Sequence, residues 1–351
     1  MSGTILWYLH DQGRGHLGRA RAVIPHLTSP VVVAAGPGVA GHAAAALDAP
    51  VVALPSDVPA RPSATQGPWH HAPIGPEVRS RTTTLAAIVE HRDCTTAVVD
   101  VSMEVAAFAR LCGLRTVALR QSGHRDDAAH RIGLVGADVV WVPQHPDLEP
   151  IDEPVDDRYA FTGAFSRFDT ALRTVATGGS CGDHAQRAST SQDGTRLAVL
   201  LVGRGGTTFD YRPWTTASAP AGWRVVIAGL ADRWTGDGIC SLGAVEPVYP
   251  VLTAADVVVT SAGWASVADC VAAGTRLVVI PEPRPFDEQV VRADVLHAAG
   301  LALRRARWPI PAELGGVLDD AGRLDPAAWR SYHDGAGAQR AASLIEEVAA
   351  T

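Results

Sequence analysis

Residues 254–269 read Ala-Ala-Asp-Val-Val-Val-Thr-Ser-Ala-Gly-Trp-Ala-Ser-Val-Ala-Asp. A short β-branched run, Val257 to Thr260, predicts a strand buried on both faces. It ends in small residues, Ser261 to Gly263, and the spacing after them predicts a short helix over Ser266–Ala273. A helix opening straight from a strand end offers free backbone N–H groups and the positive end of its dipole, which suit a diphosphate. The local alternative is a capping box, with Ser266 as cap and Asp269 reaching back. A further apolar run, Leu277 to Ile280, predicts the next strand. It leads through Pro281 to Glu288-Gln289, whose side chains leave the same strand end.

The same pattern extends outward in both directions. Toward the N-terminus, Leu197 to Val202 runs into Gly203-Arg204-Gly205-Gly206-Thr207, and Arg224 to Ala228 is another apolar strand. Between Asp169 and Arg196, Gly, Ser, Thr and Asp replace apolar periodicity, which predicts a linker. Before it, Thr4–Leu9, Val31–Ala35, Val51–Leu54, Ala97–Val101, Thr116–Leu119 and Val139–Val142 read as strands, with helices at Leu17–Leu27 and Glu104–Cys112. Residues Pro55 to Thr83 read as one long loop. Strands alternating with helices predict parallel sheets covered on both faces. Residues Ala327–Ala350 read as a closing helix. The domains expected are 1–168, a linker 169–196, a second domain 197–325, and the final helix 326–351, crossing back to the first domain.

Composition narrows the class. The 351 residues are 47% hydrophobic and 19% charged, ample for two soluble cores. A net charge of −7, with every cation an arginine, excludes a general basic field for nucleic acid. Five scattered cysteines without a CxxC pair predict reduced thiols in a cytoplasmic protein. The apolar start is too short for a membrane span, leaving peripheral membrane contact open.

Gly13-Arg14-Gly15-His16-Leu17-Gly18 follows the first strand and satisfies GxGxxG. A dinucleotide fingerprint would need an acid at the end of the second strand. That strand ends Ala34-Ala35-Gly36 instead, so the loop reads as a glycine turn exposing His16 at the sheet's C-terminal edge. His10 is the second histidine there. In the long loop, Trp69-His70-His71 lacks a metal-ligand spacing, and no metal is expected. Gln121 and His124 follow another strand end. Arg304, Arg305 and Arg307 read as a solvated face.

Thr260 to Asp269, then Gly274, Pro281 and Glu288-Gln289, resemble the sugar-donor signature of GT-B glycosyltransferases. The UDP-glycosyltransferase superfamily and the bacterial peptidoglycan N-acetylglucosaminyltransferase family share it. Gly13 to Arg19, and Val98-Val99-Asp100 before an Ala-rich helix, resemble the same families' N-terminal halves. The resemblance spans residues 4 to 303. It implies two Rossmann-like domains with parallel sheets facing across a cleft, and inverting transfer of a sugar from a nucleotide diphosphate, UDP- or dTDP-linked. The co-substrate is that nucleotide sugar, with no other cofactor. The acceptor is a small molecule, glycolipid or cell-wall precursor.

By that resemblance His16 is the general base and Asp100 orients it. Gly205, Gly206 and Thr207, with Ser261, Gly263, Trp264, Ala265 and Ser266, hold the diphosphate. Asp269 binds the ribose, Val245 the nucleobase, and Glu288 and Gln289 the sugar hydroxyls. Arg14, Trp69, His70, Gln121 and His124 face the acceptor. Three departures stand out: Ser261 where a histidine is usual, Asp269 for Glu, and Gly274-Thr275-Arg276 for Gly-x-Pro. They leave the nucleobase open. A sugar-nucleotide epimerase of the same fold and a non-catalytic nucleotide-binding partner protein are the rival readings.

Overall fold

The computed structural model describes residues 3–11, 15–58, 67–169, 194–203 and 205–351. The expected linker lies almost wholly outside these residues, as do Gly13 and Arg14. The chain forms two compact units. One comprises Met1–Pro146, Ile151–Ala164 and Ala336–Thr351; the other Asp147–Pro150 and Phe165–Gly335.

The first unit holds a seven-stranded parallel sheet. Its strands are β1 (Thr4–Leu9), β2 (Val31–Ala35), β3 (Val51–Ala53), β4 (Cys94–Val99), β5 (Arg115–Leu119), β6 (Val139–Val142) and β7 (Tyr159–Phe161). Their order is β3-β2-β1-β4-β5-β6-β7. The apolar runs explain this: Val98, Val99, Val33 and Ile5 are fully buried, as a sheet covered by helices requires. Trp7 and Trp141 meet edge to face in the core. Helices α1 (Gly15–Val23), α2 (Pro37–Ala46), α3 (Pro76–His91), α4 (Met103–Leu111) and α5 (Ala128–Val135) connect the strands.

The strand order reverses between β1 and β4. In open α/β sheets, ligands bind outside the C-terminal strand ends at such a reversal. His16 follows β1 and Asp100 follows β4, so the topology brings them to one point.

The second unit repeats the plan. Its strands are β8 (Arg196–Leu201), β9 (Trp223–Ala228), β10 (Arg233–Thr235), β11 (Ile239–Gly243), β12 (Val257–Ser261), β13 (Arg276–Ile280) and β14 (Leu303–Arg304). They lie in the order β10-β11-β9-β8-β12-β13-β14, all parallel except the β10–β11 pair. Its helices are α6 (Tyr249–Thr253), α7 (Trp264–Ala272), α8 (Glu288–Ala298) and α9 (Pro311–Ala321). Val257, Val258 and Val259 are buried in the sheet centre, each worth roughly 1.5–3 kcal/mol of burial. Here the order reverses between β8 and β12. The loops of Gly203–Thr207 and Ser261–Gly263 leave those two strands.

Three expectations need correction. Pro55 to Thr83 is not one loop, because α3 begins at Pro76; proline at the first helical position is preorganised for a helix start. The closing helix does not run from Ala327. Residues Pro326–Ser331 form a 3-10 turn of the second unit, and Gly335, with φ +72°, breaks the chain before α10 (Gly337–Ala350). Helix α7 starts at Trp264, two residues earlier than expected, with Gly263 as its N-cap. Ser266 therefore lies inside the helix, and the capping-box alternative does not occur.

Helix α10 belongs to the first unit. Glu346 accepts hydrogen bonds from the Thr28 and Ser29 backbone N–H groups and from the Ser29 hydroxyl. Arg340 donates to the Thr162 carbonyl at 2.7 Å. At the start of α10 a Cβ on Gly337 would meet the Gly163 and Ala164 carbonyls within 2.8 Å, so the close approach requires glycine.

Candidate active site

Each unit carries one half of the candidate machinery at its own strand-order reversal. In the first unit His16 is buried on the first turn of α1, with Nδ1 3.0 Å from Oδ1 of Asp100. Asp100 is fully buried. Arg19, one turn beyond His16 on the same helix face, donates from Nε to Oδ2 at 3.1 Å and from Nη2 to Oδ1 at 2.7 Å. Burial alone would raise the Asp100 pKa. The adjacent Arg19 and His16 overcome that and hold the carboxyl well below the usual range. The next residue, Val101, has φ +82°, a conformation that strains a β-branched residue.

The His10 ring centroid is 5.8 Å from that of His16. Burial first, then the neighbouring His16 and Arg81, lower its pKa to about 4, so His10 is neutral near pH 7. Both histidines thus stand at the same strand end, and His16 Nδ1 lies 3.0 Å from the Asp100 carboxylate.

The expected acceptor residues fall into other local groups. Trp69 is partly exposed. His124 Nδ1 lies 2.8 Å from Asp152, and Gln121 lends its carbonyl to the buried Arg120. His70 Nε2 lies 2.8 Å from Asp127, the N-cap of α5, which also meets His130. Arg14 lies outside the described residues. His70, Asp127 and His130 are close enough to share an ion. The hydrogen bonds tell against it. Arg125 donates to Nε2 of His130 at 3.2 Å, which places the ring proton on Nδ1, facing Asp127. That tautomer offers no Nδ1 lone pair to a cation.

In the second unit, the N-cap of α7 is a glycine and makes no side-chain cap, so the first-turn N–H groups of Trp264, Ala265 and Ser266 are not met from that residue. Ser261 is buried at the end of β12. Its Oγ stands 3.5 Å from where a Gly203 Cβ would be and 3.7 Å from a Gly263 Cβ. The β8 and β12 loops therefore adjoin, and glycine at both positions leaves room for a ligand.

Thr207 behaves differently from expectation. Its hydroxyl, expected to add a donor for an anion, donates to Glu282 at 2.7 Å. Glu282, which sequence reasoning missed, is almost fully buried. It also accepts from Thr208 N and from Trp308 Nε1. Its only local signal was an acid between two prolines after β13. Arg284 was missed as well. It is a cation whose Nη2 donates to the Gly206 carbonyl at 2.7 Å.

Gln289 is buried, and its Oε1 accepts from Glu282 N at 3.0 Å while Nε2 faces Gly263. It braces the two loops. Glu288 pairs with Arg292 at 3.1 Å one turn along α8. Just before α8, Phe286 and Asp287 both have positive φ, a strained turn that aims the start of α8.

Asp269 is buried on the second turn of α7. Ser166 Oγ donates to its Oδ1 at 2.7 Å and Arg167 Nε to its Oδ2 at 3.1 Å. Burial raises its pKa to about 6 despite these two partners. Sequence reasoning did not find Ser166 or Arg167, because nothing near them in the chain announces the contact. Val245 packs partly buried against the second unit's core.

Comparison with known proteins gives the frame. Residues 245–311 match the glycosyltransferase family 28 C-terminal domain. No curated protein sequence matches the chain. Several solved structures share the fold over its whole length. The glycotransferase of kitacinnamycin is 18% identical with a TM-score of 0.69, covering 99% of each chain. A spinosyn rhamnosyltransferase complexed with thymidine diphosphate is 16% identical with a TM-score of 0.67, over 98% of this chain and 100% of that one. The MurG of Acinetobacter baumannii is 16% identical with a TM-score of 0.62, over 98% and 99%. The chain therefore has the GT-B fold, and the family 28 C-terminal domain in its second unit identifies it as a glycosyltransferase.

Proposed function

We propose that the protein is an inverting, metal-independent glycosyltransferase that moves a sugar from a UDP- or dTDP-linked donor to an acceptor hydroxyl. The observation that carries this reading is the 3.0 Å contact between His16 Nδ1 and buried Asp100 at the first unit's strand-order reversal. An imidazole backed by a carboxylate can take the acceptor proton on Nε2 while the carboxylate orients the ring and stabilises the cation that forms. The deprotonated oxygen attacks the anomeric carbon, and the nucleotide diphosphate departs from the opposite face. That departure inverts the configuration.

Growing charge on the diphosphate is offset by the N–H groups at the start of α7, with Ser261 and Arg284 alongside. Asp269 accepts from the ribose hydroxyls. Val245 meets the nucleobase, and Glu288 and Gln289 lie toward the sugar. A thymidine-linked donor is supported by the spinosyn rhamnosyltransferase that binds thymidine diphosphate. The acceptor is a small molecule, with Trp69, His70, Gln121 and His124 as its contacts.

Replacing His16 by Ala tests the reading. Turnover should fall by about 10²- to 10⁴-fold, the usual contribution of a general base, with nucleotide affinity within a few-fold of the parent. Full turnover in that variant would remove His16 from the mechanism. Stereochemistry of the product, read by NMR of the new glycosidic bond, separates transfer with inversion from epimerisation of the free sugar nucleotide.

A further inference from the structure

We propose that Arg19 is a positioning residue for this reaction: it fixes Asp100 and cancels the charge that His16 would otherwise face. The inference rests on the reading of His16 as base. Three atoms carry it. Arg19 Nη2, Asp100 Oδ1 and His16 Nδ1 form a nearly equilateral triangle, with sides of 2.7, 2.8 and 3.0 Å.

The fork of Arg19 gives Nε–H to Oδ2 and one Nη2–H to Oδ1, the parallel geometry a carboxylate prefers. A guanidinium is planar, so the two N–H bonds of one Nη2 diverge by about 120°. Two sides of the triangle meet at roughly half that angle, so each N–H lies only about 30° off its side and Nη2 stands within donor reach of both Oδ1 and His16 Nδ1.

Charge follows the same geometry. Asp100 is fully buried, and without a counterion it would be a bare carboxylate against the imidazole. Arg19, itself buried, makes the pair neutral. The remaining ionisable groups around this point come from the neighbouring elements. They are His10 after β1, Arg81 from α3 paired with Asp57, and Asp11 on the Gly38 amide. Among them the Arg19–Asp100 pair makes direct contact with His16.

The pH profile of the full chain tests this. In the pH profile of kcat/KM, Arg19→Met should move the acidic limb up by about one unit or more, because an unbalanced carboxylate favours the protonated ring. Arg19→Lys, which keeps the charge, should restore the limb. A folded Arg19→Met protein with an unmoved limb overturns the proposal.

If Arg19→Met alone does not fold, the double variant Arg19→Met/Asp100→Asn removes the stranded charge. Its limb should lie within about half a unit of the parent's; a larger upward move would overturn the charge argument. Loss of turnover in His16→Ala together with an unmoved limb in Arg19→Met sinks the Arg19 proposal alone. Retained turnover in His16→Ala sinks the reading beneath it.

Discussion

Ser166 donates a 2.7 Å hydrogen bond to Asp269, 103 residues further along the chain. With Arg167 on its other oxygen, Asp269 is held in one orientation by the segment Phe165–Asp169, where the chain passes from the first unit into the second. Asp169 is itself tied back, accepting from Ser166 N and meeting His333 at 2.9 Å. This segment is thus a bracket for the carboxylate assigned to the ribose.

The titration of Asp269 gives the first prediction. Its pKa is about 6 in the folded protein against an ordinary 3.8, so the folded state binds the proton more tightly than the unfolded chain. Between those values protonation favours the fold, and that contribution is lost as pH rises through about 6. For the nucleotide the direction is opposite, since a protonated carboxyl is a poorer acceptor for ribose hydroxyls. Isothermal titration from pH 8 to pH 5 should show nucleotide affinity weakening as pH falls through about 6. Asp269→Asn should keep stability at pH 8 yet bind nucleotide about ten- to a hundredfold more weakly.

Asp100 behaves in the reverse sense. Its pKa is depressed by Arg19 and His16 against the pull of burial. The stability it contributes is present above the ordinary carboxylate pKa and is lost as pH falls through the much lower folded value. Asp100→Ala strands buried Arg19 and should lower stability by about 3–5 kcal/mol. Chemical denaturation at pH 7 measures this, and a loss below about 1 kcal/mol would contradict the buried-pair assignment.

Glu282 is the hub of the loop that sequence reasoning missed. Glu282→Gln leaves a neutral amide to face Thr207, Thr208 and Trp308, three groups that now donate to one carboxylate. Stability should fall by about 1–3 kcal/mol, with a change in Trp308 fluorescence and a raised KM for the sugar donor. An unchanged KM would show that the Gly203–Thr207 loop does not need this brace.

Helix α10 supplies a control. Glu346→Ala removes the acceptor for two backbone amides and one hydroxyl at Thr28 and Ser29. Thermal stability of the first unit should drop, by about 1.5–3 kcal/mol at most for a charged acceptor, while nucleotide affinity stays unchanged. Weakened nucleotide binding in this variant would tie α10 to the sugar-donor machinery.

Much of the fold was legible in the chain. The strands β1, β2, β6, β8, β9, β12 and β13 follow from β-branched or apolar runs, because a parallel sheet covered on both faces demands them. The short antiparallel pair β10 and β11 was missed. Arg233-Trp234-Thr235 and Ile239–Gly243 are too brief and mixed to show a period. Helix α3 was hidden because it opens with Pro76 at the end of a Pro-rich stretch, and its buried face is only Arg81, Leu85 and Ile88.

The candidate site divides along the same line. His16 and Gly263 could be singled out from the chain because each stands in a turn that leaves a strand end, and Asp100 and Asp269 through the resemblance to glycosyltransferase motifs. The residues that hold them could not. Arg19 closes the Gly13–Arg19 stretch with nothing in the chain to name Asp100 as its partner, Ser166 and Arg167 read as the edge of a linker, and Glu282 as an acid between two prolines. By itself the sequence determined the alternation of strand and helix, since local burial and turn chemistry are written in neighbouring residues. Tertiary structure decided which strand ends adjoin, β1 with β4 and β8 with β12. Only that order brings Arg19, His16 and Asp100 to one point in the first unit, and the Gly203 and Ser261 loops to another in the second.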